Sequence, residues 1–93
     1  MTSKVKHYFY SYGFLQYKYW RTKKGQAHRE DGPACEYADG IRYWYKNGKR
    51  HREDGPAIVW ENGRHEYFLN GIEFFKEEYW KEIEKIKKRK KNK

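Results

Sequence analysis

The amino-acid sequence predicts a mainly β protein: an antiparallel meander of tandem hairpin repeats, about six strands in all, followed by a C-terminal helix. Three observations predict it. HREDGPA occurs twice, at His28–Ala34 and His51–Ala57, and glycines recur at 25, 48 and 71, at 32 and 55, and at 40 and 63, always 23 residues apart. Asx-Gly pairs, the strongest short hairpin signal because both residue types tolerate positive φ, fall at regular places within that period. After the last pair, at Asn70-Gly71, the pattern changes to one with helical spacing.

The 93 residues suggest a single domain, because chains this short rarely split their core. Residues 6–24 read as an altered first hairpin that caps the array: Tyr19-Trp20 resembles Tyr43-Trp44 with a one-residue slip, and HREDGPA is missing at the expected place. Residues 25–50 form repeat one, with strands at Cys35–Ala38 and Ile41–Lys46 around Asp39-Gly40. Residues 51–73 form repeat two, with strands at Ala57–Glu61 and His65–Leu69 around Asn62-Gly63. Asn47-Gly48 and Asn70-Gly71 turn the chain again at the end of each unit. Residues 74–90 read as a helix with Phe75, Tyr79, Ile83 and Ile86 on one stripe, acidic early and basic late as the helix dipole favours. The helix is expected to pack over the last hairpin and protect its edge.

Aromatic residues make up 20% of the chain, so rings must supply a core that aliphatic residues do not. Trp44 matches Tyr67 in the next repeat and is expected in the core; Tyr43 matches Glu66 and is expected to be exposed. Cys35 is the single cysteine; it matches Ile58 and reads as core, and no internal disulfide can form. The first residues lack the apolar stretch of a signal peptide, and no apolar run approaches membrane-spanning length, so cytosol is the expected location.

The duplicated motif has two readings. His28, Asp31, His51 and Asp54 are the residue types of acid–base or metal chemistry, but repeat corners stand a hairpin's width apart whereas metal ligands must converge. Asp-Gly-Pro is turn chemistry, Ala allows close packing, and a corner must recur once per unit. The corner reading is preferred, with His and Arg on its outside; no catalytic residue, metal or cofactor is expected.

Binding is the remaining class. The net charge is +9, and residues 81–93 carry eight Lys or Arg against two Glu. Lys87, Lys88, Arg89, Lys90 and Lys91 are therefore candidates for contact with phosphates, with Tyr43 as a stacking platform and Arg42 or Arg64 beside it. Arg29, Arg50 and Arg52 are secondary candidates. RNA is preferred over duplex DNA, since no recognition helix is apparent. The alternatives are a protein-only inhibitor of an acidic or nucleic-acid-binding host protein, and a sponge for an anionic nucleotide held by the His-Arg corners.

The pattern HREDGPA…NG…YW…NGK, over residues 25–90, resembles the hairpin repeat of certain phage, giant-virus and bacterial proteins and is loosely similar to MORN repeats. The resemblance implies this fold and a phage or viral origin, with no activity attached. By analogy, a small basic phage protein of this kind is expected to block a host nuclease or defence factor. The short array, the missing first motif and the Lys-rich end depart from the longer members.

Overall fold

The computed structural model describes residues 6–12 and 15–91; the tip of the first hairpin, at 13–14, lies outside them. Nine strands and one helix follow in order. They are β1 (Lys6–Tyr12), β2 (Leu15–Arg21), β3 (Cys35–Tyr37), β4 (Arg42–Tyr43), β5 (Tyr45–Lys46), β6 (Lys49–Arg50), β7 (Ile58–Val59), β8 (His65–Leu69), β9 (Ile72–Phe74) and α1 (Lys76–Lys91). Seven strands form an antiparallel meander, β1-β2-β3-β4-β7-β8-β9, and β5 and β6 form a separate two-stranded ribbon. The fold class read from the sequence is the one observed.

The two kinds of Asx-Gly turn differ in a way that their shared letters conceal. At Asn47-Gly48 and Asn70-Gly71 both residues are left-handed, with φ of 49° and 82° and of 51° and 83°, the type I′ geometry of a tight two-residue hairpin. At the other two sites only the glycine is left-handed, and the Asx side chain instead accepts the backbone N–H two residues on: Asp39 Oδ1 from Ile41 and Asn62 Oδ1 from Arg64.

The return strand of repeat one does not run unbroken from Ile41 to Lys46. It leaves the main sheet at Trp44, whose N–H donates to the Ala57 carbonyl while its own carbonyl accepts from His51 N–H. The chain on either side therefore pairs in different sheets, β4 with β3 and β7, β5 with β6. The equivalent strand of repeat two, β8, runs unbroken, pairing with β7 through His65 and Glu66 and with β9 through Tyr67, Phe68 and Leu69.

Pleating separates the two faces of the meander. Register pairs Tyr17 with Tyr37, Tyr19 with Cys35, Cys35 with Tyr43, and Tyr43 with Ile58, so these side chains share one face. Lys18, Glu36, Arg42, Val59 and His65 share the other. The core is double. Ala57, Ile58 and Phe68 form one cluster with Tyr43, Trp44 and Trp60 around them; Tyr67, Leu69, Tyr79 and Ile83 form the other, under α1. Phe75 departs from its expected place in the helix stripe. It precedes α1 and is 77% exposed, and Phe74, one residue earlier, packs against the core instead.

Candidate nucleic-acid interface

The duplicated heptapeptide makes the same contacts twice. His28 Nδ1 accepts the backbone N–H of Asn47 at 2.9 Å, and His51 Nδ1 accepts that of Asn70 at 2.9 Å. A backbone amide can only donate, so the ring proton sits on Nε2, which donates to Glu30 at 2.9 Å and to Glu53 at 3.0 Å. Arg29 and Arg52 each lie 3.9 Å from the centre of a tryptophan ring, Trp20 and Trp44 respectively. Each guanidinium also bonds the Asp two residues on and the Pro carbonyl four on, at 3.1 and 3.2 Å in the first copy and 2.8 and 3.0 Å in the second. A Cβ on Gly55 would meet the Arg52 guanidinium at 3.0 Å, which is why glycine stands there. Ala34 and Ala57 are fully buried.

The His, Arg, Glu and Asp side chains of the motif are thus all bonded in both copies. The expectation that His and Arg decorate the outside is corrected here: His28 and His51 are 5% and 7% exposed, because each caps the type I′ turn that closes its own unit. Arg29 and Arg52 are committed to ring, carboxylate and carbonyl.

On the tyrosine face lies an open groove of about 780 Å³, walled by Tyr17, Tyr19, Tyr37, Tyr43 and Tyr45, with Arg50 at one side and the buried Cys35 in its floor. Ring centroids step across it at 5.2 Å from Tyr17 to Tyr37, 5.9 Å to Tyr43 and 6.3 Å on to Tyr45. Tyr43 also meets Trp60 edge-on at 5.9 Å. Tyr43 is therefore half-buried rather than exposed, because Tyr37 and Trp60 arrive beside it from β3 and β7. Burial raises the Tyr43 phenol and pushes that of Tyr37 up to about 12, the latter helped by Cys35 next to it. Burial likewise raises the Cys35 thiol. Tyr37, Tyr43 and Cys35 therefore keep their protons near neutral pH. No carboxylate among the described residues lines the groove or pairs with Arg50, whose guanidinium lies 5.3 Å from the centre of the Phe68 ring.

The other candidates are dispersed. Arg42 is on the opposite face from Tyr43, 3.7 Å from Glu36. Arg64 stands beyond Trp60 and lies 3.4 Å from Glu66, which also accepts the Trp60 indole N–H at 2.5 Å. Lys87, Lys88, Arg89, Lys90 and Lys91 are exposed on α1, across the sheet from the groove, and Lys90 bonds Glu53 at 2.8 Å. Tyr17, Tyr19, Tyr37 and Tyr45 were not singled out from the sequence as site residues. One signal for Arg50 was present: a two-residue turn at Asn47-Gly48 forces Tyr45 opposite Arg50.

Among the described residues no group of three or more His, Cys, Asp or Glu is placed to hold a metal ion, and no helix is long and apolar enough to cross a membrane. No family model, curated protein or solved structure matches the chain.

Proposed function

We propose that this chain is a non-enzymatic binding protein that holds single-stranded nucleic acid, RNA ahead of duplex DNA, in the tyrosine groove. The observation that carries the reading is the groove's composition among the described residues: five tyrosines and one arginine with no carboxylate partner, and no carboxylate in the lining. Base faces stack on aromatic rings whatever their sequence, each stack contributing about 1–3 kcal/mol. Arg50 supplies a cation for a phosphate, and phenol hydroxyls can both donate to and accept from a ribose 2′-OH. A duplex keeps its bases stacked on each other and offers the rings no face. The non-catalytic reading is supported by the corners, whose acid–base groups are all bonded to one another.

The test is fluorescence anisotropy with a labelled ten-nucleotide RNA, the same sequence as duplex DNA, and a salt series. Tyr45→Ala and Arg50→Ala are each expected to weaken RNA binding by about 1–3 kcal/mol without loss of fold. Because one arginine does most of the charge pairing, the salt slope should correspond to only about one to three phosphates. A slope of six or more, untouched by either substitution, would transfer the site to the lysine-rich helix.

A further inference from the structure

The two corners share one sequence but differ in what covers them. Over the second corner lies Tyr79 of α1, whose hydroxyl donates to the Arg52 carbonyl and accepts the Gly55 N–H at 3.2 Å. Its ring stands 4.8 Å from that of Tyr67, and Ile83, one turn on, packs with Leu69. Stepping back by the 23-residue period gives the Arg29 carbonyl, the Gly32 N–H, Trp44 and Lys46.

These four residues line a cleft of about 620 Å³ whose far wall is Ile86, Lys87 and Lys90 of the same helix. Gly55 is buried whereas Gly32 is half-exposed. Neither the Gly32 N–H nor the Arg29 carbonyl meets a hydrogen-bonding partner among the described residues. The internal bonds of the heptapeptide are the same in both copies, so the first corner presents the donor and acceptor that Tyr79 joins at the second.

We infer that the first corner is a docking seat for a tyrosine on a helical segment of a partner protein, with a carboxylate beside it. The chemistry narrows the occupant. One atom must donate to a carbonyl and accept from an amide 3 residues away, which a hydroxyl does and neither an ammonium nor a carboxylate can. The hydroxyl must stand on a flat apolar stem to pass between the Trp44–Arg52 stack and Ile86. A phenol meets both demands. Lys46 occupies the place that Leu69 holds in the second seat but lies 3.6 Å from Glu30, and Arg29, Arg52 and Lys90 likewise face Asp31, Asp54 and Glu53 of the same lining. Lys87 alone has no carboxylate partner among the described residues, so one carboxylate beside the tyrosine is favoured. Glu77-Glu78-Tyr79, followed by Ile83, is this chain's own example of such a segment. The seat is independent of the tyrosine groove and lies on the other side of the sheet's corner strands.

The experiment uses the full ¹⁵N-labelled chain and a synthetic peptide with the sequence of residues 74–86, which carries the Glu-Glu-Tyr segment in trans. The Gly32 amide resonance should move and saturate while that of Gly55 stays in place. A peptide with Phe for its Tyr should bind at least tenfold more weakly, and the Lys87→Glu chain should lose at least twofold for the tyrosine peptide. No shift of Gly32 at millimolar peptide would overturn the inference, as would equal binding of the Phe peptide. Movement of Gly55 instead, meaning that the peptide only displaces α1, would also overturn it. So would a Gly32 response to a short RNA and not to the peptide, which would assign the hydroxyl to ribose.

Discussion

The corners and the tyrosine groove use opposite economies of polar chemistry. In the corners, His28, His51, Arg29 and Arg52 are the residues a chemist would first suspect, and each is held by carboxylates of its own heptapeptide together with a turn amide or a ring from elsewhere. In the groove, the residues are tyrosines on separate strands, and Arg50 beside them has no carboxylate partner among the described residues. A repeated His-Arg-Glu-Asp acts as a clamp that closes each unit, and the proposed binding site is built from other residue types.

That contrast predicts its largest effects in the corners. His51→Ala leaves the Asn70 amide and Glu53 without their buried partner and opens a void beside a type I′ turn. It should destabilise by about 2–4 kcal/mol in urea unfolding, with His28→Ala close behind. Losses under about 0.5 kcal/mol in both would return the corner histidines to the list of functional candidates. Tyr79→Phe keeps the ring but strands the Arg52 carbonyl and the Gly55 N–H under α1. A loss of about 1–2 kcal/mol is expected, and the unfolding midpoint measures it.

The third effect is a pH dependence. Lys90, bonded to Glu53, holds that carboxyl below its ordinary value, with His51 adding to the shift against the opposing cost of burial. A group whose folded pKa is lowered contributes stability above its unfolded value and loses it as pH falls through the folded one. Unfolding free energy should therefore decline on acidification through the carboxylate range, and Glu53→Gln should remove part of that slope. A slope unchanged in Glu53→Gln would show that the Lys90 contact contributes nothing. Smallest of all, Lys88→Ala and Arg89→Ala, at exposed sites on α1, should change stability by no more than about 0.5 kcal/mol.

The sequence made the meander legible because turns and period are local signals: Asn47-Gly48 and Asn70-Gly71 encode type I′ geometry in two letters each. Trp44 was correctly assigned to packing, and Cys35 to the interior. The groove was not legible. Its walls come from β2, β3, β4 and β5, and the long connection from Thr22 to Ala34 hides which tyrosine of β2 faces which residue of β3. The buried histidines were missed for a related reason. Their acceptor role depends on a turn 19 residues away, and no period within the heptapeptide announces it. Arg42 was chosen for its adjacency to Tyr43, yet adjacency along a strand places side chains on opposite faces. Arg50, the cross-strand neighbour of Tyr45, is the one that shares the groove.

The central claim is that nucleic acid is held by the groove and not by the lysine run. Its most direct test is a side-by-side RNA affinity measurement on the intact chain, a Tyr37→Ala/Tyr45→Ala double variant, and a chain ending at Ile86. Unfolding curves for each variant confirm that the fold survives. The account predicts at least a tenfold loss, about 1.4 kcal/mol, for the groove variant and a smaller loss for the truncated chain. Undiminished binding by a folded groove variant, together with a tenfold or larger loss on truncation, would contradict it.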